Sequence, residues 1–148
     1  MESVYISGES LEGTTYKSFI DYLLRKSDMF SYEILKLSDE IRDTDDKKYY
    51  DIVLNTERFF QSFYKKKNID KRNCLKSFVY LNSSLVKEYL KKANSIYDWN
   101  YPDGIENLSF FEKDKCIFES ITHENYFVFY PATNCEVKKL QEFGVVIL

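Results

Sequence analysis

The apolar residues of this chain switch between the three-to-four-residue period of an α-helix and the two-residue period of a β-strand. Residues 16–24 have the helical spacing, with apolar side chains at i, i+3, i+4, i+7 and i+8. Residues 30–34 alternate strictly instead. Because each period places its apolar side chains on one face of its element, the two patterns together indicate helices packed on a sheet. The chain is therefore restricted to folds that combine both kinds of element.

The same reasoning along the whole chain predicts seven strands and four helices. The predicted strands are residues 4–6, 30–37, 75–81, 108–112, 116–121, 126–130 and 145–148. The predicted helices are residues 15–26, 45–64, a stretch from the cap residues 82–84 to about 93, and a last helix opened by a Thr133-x-x-Glu136 capping box and ended by Gly144. This order predicts one α+β domain over residues 1–148, with a mixed sheet that contains an antiparallel three-strand meander near the C-terminus and about four helices.

Several local features refine this fold. Thr14 or Thr15 is the expected N-cap of the first helix. The acidic stretch 38–48 and the basic stretch 65–73 both lie between apolar segments, so they are interpreted as surface connections. The single tryptophan, Trp99, stands between a helix and Pro102, where a large ring can pack the meander against that helix. We therefore expect Trp99 to be buried and structural.

Composition excludes several classes of protein. Hydrophobic residues make up 44% of the chain and aromatic residues 18%, with a net charge of only −3. Disordered chains have few aromatic residues and a large charge imbalance, and free-standing nucleic-acid binders are usually strongly basic. The first twenty residues have the wrong polarity for a signal peptide, and there is no apolar run long enough to span a bilayer. We therefore expect a folded cytoplasmic protein without a membrane partner, for which a nucleic-acid partner is disfavoured.

The cysteines and the single histidine do not have the spacing of a metal site. Cys74, Cys116, Cys135 and His123 contain no C-x-x-C or H-x-x-x-H pair. An odd number of cysteines without repeated spacing is typical of reduced thiols in the cytosol. We expect neither a metal nor a cofactor.

The segment from Gly8 to Thr15 has the spacing of a phosphate-binding loop between a strand and a helix. Thr14 stands where that loop needs its lysine. Glu9 and Glu12 would also repel a triphosphate. The segment is therefore interpreted as a turn followed by a helix N-terminus, where acidic residues are favourable.

One candidate for catalysis is the turn that contains His123. A histidine next to Glu124 could act as a general base, with Glu119 as another nearby carboxylate or Cys116 as a nucleophile. Adjacent residues on an extended chain point to opposite faces, and Cys116 adjoins apolar residues, so these groups do not form an evident site. No catalytic residue is assigned, although a small enzyme remains an alternative.

Acidic residues are the candidate contacts to a partner. They fall into two groups, one in the stretch before the second helix and one along the meander edge. The predicted partner-binding residues are Asp39, Glu40, Asp43, Asp45, Asp46, Glu112, Asp114, Glu119 and Glu124. Acidic surfaces accelerate the capture of a basic protein because complementary fields steer the encounter.

Four short motifs carry a resemblance to known proteins. They are Asn94-Ser-Ile-Tyr-Asp-Trp99, Tyr101-Pro102-Asp103-Gly104, Leu108-Ser-Phe-Phe111 and Ile121-Thr-His-Glu124. With them the chain resembles a family of small, largely uncharacterised single-domain proteins of low-GC Gram-positive bacteria, some of which carry a sporulation-protein name. The chain departs from that pattern at Ile117, where such proteins have a second tryptophan. The resemblance implies a shared fold and a host range, and it implies no catalytic residues.

Two classes of function remain from the sequence. The first is a non-enzymatic protein-binding module, above all an immunity protein that inhibits a bacterial toxin or effector by direct contact. Such inhibitors are small, acidic, cytosolic and free of cofactor motifs, as this chain is. The second is the small enzyme described above, and a phage or housekeeping adaptor is a further alternative. A toxin gene directly beside this one would distinguish the first class.

Overall fold

The computed structural model describes residues 2–35, 41–69 and 75–148, which form seven strands and four helices. The strands are β1 Val4–Tyr5, β2 Met29–Leu35, β3 Tyr64–Ile69, β4 Leu75–Leu81, β5 Glu106–Glu112, β6 Lys115–Ile121 and β7 Tyr126–Phe129. The helices are α1 Gly13–Lys26, α2 Thr44–Phe60, α3 Ser84–Lys91 and α4 Asn134–Glu142. Among the described residues, no helix is both long and apolar enough to cross a bilayer.

The seven strands form one sheet in the order β1-β7-β6-β5-β2-β4-β3. The α+β class and the β5–β6–β7 meander are thus confirmed. Every strand pairing in the described residues is antiparallel, so the expectation of a mixed sheet is wrong. The reason is that helices α1, α2 and α3 each connect strands that are not neighbours in the sheet. No crossover therefore produces a parallel pair.

One register row of apolar side chains crosses the whole sheet. Each member is directly opposite the next on the neighbouring strand. In sheet order from β3 to β1 the row is Tyr64, Tyr80, Phe30, Phe110, Phe118, Phe129 and Val4. Because side chains opposite one another share a face, this row forms the floor of the hydrophobic core.

The helices pack on this row. The ring of Phe19 in α1 meets Phe118 edge-on at 5.0 Å, and the ring of Phe60 in α2 meets Phe30 at 5.3 Å. Leu90 of α3 and Leu140 of α4 belong to the same buried cluster. Among the described residues, all four helices therefore lie on one face of the sheet.

The helix ends follow local signals only in part. Helix α1 begins at Gly13, whose amide donates to the carbonyl of Asn94. The expectation that Thr14 or Thr15 caps it is wrong, because the Thr15 hydroxyl donates instead to the carbonyl of Phe143. Helix α4 agrees with its prediction at both ends. The Glu136 carboxylate accepts from the amide of Thr133 at 3.1 Å, and Gly144 follows the helix with a φ of +101°.

Two further segments, residues 65–69 and 145–148, differ from their predicted structure. Residues 65–69 belong to edge strand β3 rather than to a connection, because their backbone pairs with β4. Residues 145–148 form a single antiparallel bridge, Ile6 to Ile147, in place of a full strand. The rest of the basic stretch, 70–73, and Cys74 lie outside the described residues.

Candidate protein-interaction face

The second face of the sheet is left without helices in the described part of the chain. Its central register row, from β4 to β1, is Val79, Ser31, Ser109, Glu119, Val128 and Tyr5. The neighbouring rows on this face contribute Met29, Phe111, Cys116, Ile121, Tyr126 and Tyr130. We call these twelve residues the open face. Four of the twelve are buried, at 1% exposed for Val128, 3% for Val79, 5% for Ser31 and 7% for Met29, so the accessible part of the open face is formed by the other eight.

Glu119 is at the middle of the open face, on β6. Its Oε1 accepts a hydrogen bond from the hydroxyl of Tyr130 at 2.7 Å and a longer one from the hydroxyl of Tyr126 at 3.3 Å. The two tyrosines stand on either side of Val128 along the neighbouring chain segment, so both reach across to the same carboxylate. In strands β1, β5, β6 and β7, Glu119 is the only charged side chain on this face.

The charge of Glu119 acts on the groups around it. Burial raises the pKa of Tyr130 above its usual value, and the hydrogen bond to Glu119 adds to the effect. Burial likewise raises the pKa of the Cys116 thiol to about 12, with a further contribution from the charge of Glu119. A thiol with this pKa is protonated at neutral pH and is a poor nucleophile. The negative charge of Glu119 therefore favours a positively charged group on a partner that approaches the open face.

An exposed apolar rim lies at the β1 edge of the open face, with β7 between it and Glu119. Tyr5, Val146 and Leu148 are 52%, 52% and 80% exposed. The amide of Leu148 donates to the carbonyl of Tyr5 at 2.8 Å, so the two segments lie side by side. Ile147 packs against the core, and alternation along the extended segment directs its two neighbours to the open side. Contiguous exposed apolar surface of this kind is typical of protein-interaction sites.

The acidic residues predicted before α2 have structural roles where they are described. Asp46 is only 1% exposed and accepts from the amide and the guanidinium of Arg42 at 3.0 Å each, and from the hydroxyl of Tyr101. It is therefore not a surface contact, and that expectation is wrong. Asp43 caps α2 by accepting from the amide of Asp46. Asp45 is exposed, while Asp39 and Glu40 lie outside the described residues.

Asp46 provides a pH-dependent stabilisation. The hydroxyl of Tyr101 first, and Arg42 second, lower its pKa to about 2. Since the pKa is lower in the folded than in the unfolded chain, this stabilisation is present above about pH 4 and is lost as the pH falls toward 2. We expect urea unfolding at about pH 5 and about pH 2.5 to show a smaller acid-induced loss for Asp46→Asn than for the unchanged chain. Equal losses in both proteins would contradict this role.

The meander acids are separated by the structure. Glu112 and Asp114 are exposed at the β5–β6 turn, whereas Glu124 is exposed at the β6–β7 turn. Glu119 lies between these two ends and is half-buried. Only Glu119 is therefore central to the open face, and the other three lie at opposite edges of the meander.

Two of the candidate catalytic groups, Cys116 and His123, are separated by the fold. Cys116 is near the start of β6 and His123 follows its end, which places them roughly 20 Å apart at the rise of an extended strand. A nucleophile and base need to be within hydrogen-bond reach. His123 is exposed, with Nε2 4.0 Å from the carboxylate of Glu124. A Cys116–His123 pair is thus excluded by the fold.

Three tyrosines of the site were not identified from the sequence. Tyr126 and Tyr130 alternate with Phe127 and Phe129, so both faces of β7 carry aromatic rings. Alternation shows which residues share a face, but it does not show which face the helices cover. Tyr5 lies in a two-residue strand, too short for its pattern to be informative.

No group of three or more histidine, cysteine, aspartate or glutamate side chains in the described residues could hold a metal ion. The Gly8–Ser10 segment forms a 3₁₀ turn, and a Cβ added at Gly8 would collide with Tyr97 and Phe127. This turn is therefore packed against the protein rather than open as a phosphate cradle. Comparison of the chain with protein-family models, curated proteins and solved structures finds no match.

Proposed function

We propose that this chain is a protein-binding module, and specifically an immunity-type inhibitor that neutralises a bacterial toxin or effector in the cytoplasm by direct contact. The observation that carries the proposal is the open face, which offers tyrosine and phenylalanine side chains around the carboxylate of Glu119. Interface cores are enriched in these residue types and depleted in lysine. The uncovered sheet therefore has the composition of a docking surface.

Charge supports a basic partner. The exposed acids Glu112, Asp114 and Glu124 lie at the two ends of the meander, and the open face between them has a negative centre. The whole chain carries a net charge of −3. Acidic residues at a rim accelerate association with a basic surface, while buried aromatic residues determine how slowly the complex dissociates. The two features have separable kinetic effects.

A pair of exposed tyrosines provides the test. Tyr5 is 52% exposed on the open face, and Tyr50 is 45% exposed on α2, in the helix layer. In a complex with the product of the adjacent gene, we expect Tyr5→Ala to raise the dissociation rate about tenfold, as loss of an aromatic anchor does. Tyr50→Ala is expected to leave that rate unchanged. Surface-based binding kinetics at two salt concentrations measure both variants.

The possible outcomes test the docking surface and the inhibitor function separately. Equal effects of Tyr5→Ala and Tyr50→Ala would show that the open face is not the docking surface. A neighbouring gene product that is harmless when expressed alone, or that forms no complex, would overturn the inhibitor function. In that case a phage or housekeeping adaptor with a partner encoded elsewhere becomes the better account.

A further inference from the structure

Oε2 of Glu119 determines which chemical group a partner needs where it contacts the open face. Both tyrosine hydroxyls donate to Oε1, and Oε2 has no hydrogen-bond partner among the described residues. Oε2 is also not one of the buried, unsatisfied polar atoms of the protein, so solvent reaches it. No basic side chain of the described chain forms an ion pair with Glu119. The two tyrosines therefore hold Oε1 in position, while Oε2 has no counter-charge beside it.

A partner that covers the open face displaces the water that hydrates Oε2. A carboxylate buried without a counter-charge is strongly destabilising, whereas one that receives charge-assisted hydrogen bonds is favourable. An apolar partner surface would therefore be rejected at Glu119. A partner that docks on the open face has to place a hydrogen-bond donor against this oxygen, and a cationic donor also supplies the counter-charge.

The surroundings of Glu119 favour arginine over lysine. The Tyr5 and Tyr126 rings lie edge to face at 5.9 Å, so aromatic surface adjoins the carboxylate. A guanidinium is planar, stacks on aromatic rings and is less strongly hydrated than an ammonium. A lysine would meet the carboxylate equally well but would gain less from the rings. Arginine is also among the residues enriched at interface hot spots.

We propose that the partner's anchor on the open face is an arginine side chain, which donates to Oε2 of Glu119 and packs against the rings of Tyr126 and Tyr5. This inference rests on the proposed function, because it specifies the chemistry that the docking face recognises. The guanidinium supplies the positive charge that no side chain of the described residues places beside Glu119. The apolar rim then excludes water around the pair, which strengthens it.

The first experiment uses a minimal probe. The peptide acetyl-Gly-Arg-Gly-amide is titrated into the full chain, and the ring resonances of the tyrosines are followed by NMR. We expect saturable shifts at Tyr126 and Tyr130 in the millimolar range, with smaller shifts for the lysine peptide and none for the citrulline peptide, which has the shape of arginine without its charge. Absence of saturable shifts with arginine, or equal shifts with citrulline, would overturn the inference.

Matched variants locate the effect. Glu119→Gln keeps an acceptor for both tyrosine hydroxyls and removes the charge, so it should fold normally and lose the arginine response. Glu88→Gln removes an exposed carboxylate from α3 on the helix side and should retain the response. A response that persists in Glu119→Gln would refute the site. Unchanged resonances of the core tyrosines Tyr16 and Tyr32, which do not contact residue 119, confirm in the peptide-free variant that the fold is intact.

The complex with the adjacent gene product provides the second arm. Glu119→Gln is expected to raise the Kd at least about tenfold, and Glu88→Gln to leave it unchanged. If the complex forms and both variants bind equally well, the arginine anchor is wrong and the inhibitor function stands. If no complex forms, the proposed function is wrong, and the peptide titration alone decides whether Glu119 binds a guanidinium.

Discussion

Replacement of Phe110 by alanine is expected to lower the free energy of unfolding by about 3–5 kcal/mol. Phe110 is fully buried on β5, in the middle of the register row that forms the floor of the core. Its ring lies 6.3 Å from those of Phe30 and Phe118 on the two neighbouring strands. Removal of the ring leaves a cavity between strands whose positions the hydrogen-bonded sheet holds, so the neighbours close it only in part. Urea unfolding followed by tyrosine fluorescence or circular dichroism measures the loss.

The next residue along the chain is the matched control. Phe111 has the same side chain on the same strand, but it lies on the open face and is only half-buried. We expect Phe111→Ala to cost less than half as much as Phe110→Ala, because solvent already reaches its ring. Equal costs would mean that both faces of the sheet are packed to the same degree, which would contradict an uncovered face.

Trp99→Ala is the other change with a large expected effect, also about 3–5 kcal/mol. The indole is 7% exposed and stacks on Tyr89 of α3 at 5.6 Å. Its Nε1 donates to the hydroxyl of Tyr16 in α1 at 2.7 Å, and that hydroxyl donates to the carbonyl of Leu90. Trp99 thus connects α1 and α3 to the loop before the meander, and the expectation of a buried structural tryptophan is confirmed.

A conservative variant separates packing from hydrogen bonding at this position. Trp99→Phe keeps an aromatic ring against Tyr89 and removes the donor to Tyr16. We expect it to cost about 1–3 kcal/mol, from the lost hydrogen bond to Tyr16 and the smaller ring, and so to melt between Trp99→Ala and the unchanged protein. Differential scanning calorimetry of the three proteins gives the order. A Trp99→Ala protein that melts within about a degree of the original would refute the structural role of the indole.

Much of the fold was predictable because its signals are local. The 16–24 apolar stripe predicts α1 within two residues of its N-terminus, and the capping residues of α4 bracket the helix correctly. The meander strands follow from alternation interrupted by short polar turns. Residues 65–69 were misassigned for the opposite reason. A run of lysines has no strand period of its own, and only pairing with β4 makes it a strand.

The candidate site was predictable to a lesser degree, and the acidic residues show why. Asp46 and Glu119 are both carboxylates, and the sequence assigns them the same role as partner contacts. The structure buries Asp46 under Tyr101, which is 55 positions away, and leaves Glu119 on the open face between two tyrosines. Tertiary packing brings Tyr101 to Asp46, so no local pattern distinguishes this structural acid from a surface one.

The sequence by itself determined the class of fold, most element boundaries, the burial of Trp99 and the identity of Glu119 as a candidate contact. These depend on periods, caps and turns that act over a few residues. Only the tertiary structure decided that, within residues 2–35, 41–69 and 75–148, every strand pair is antiparallel and all four helices cover the same face. The β6–β7 register places Tyr126 and Tyr130 beside Glu119, and the accessibility of this group depends on that second outcome. Aromatic rings line both faces of β7, so the side left open is set by where α1, α2, α3 and α4 pack, which is a contact between distant segments.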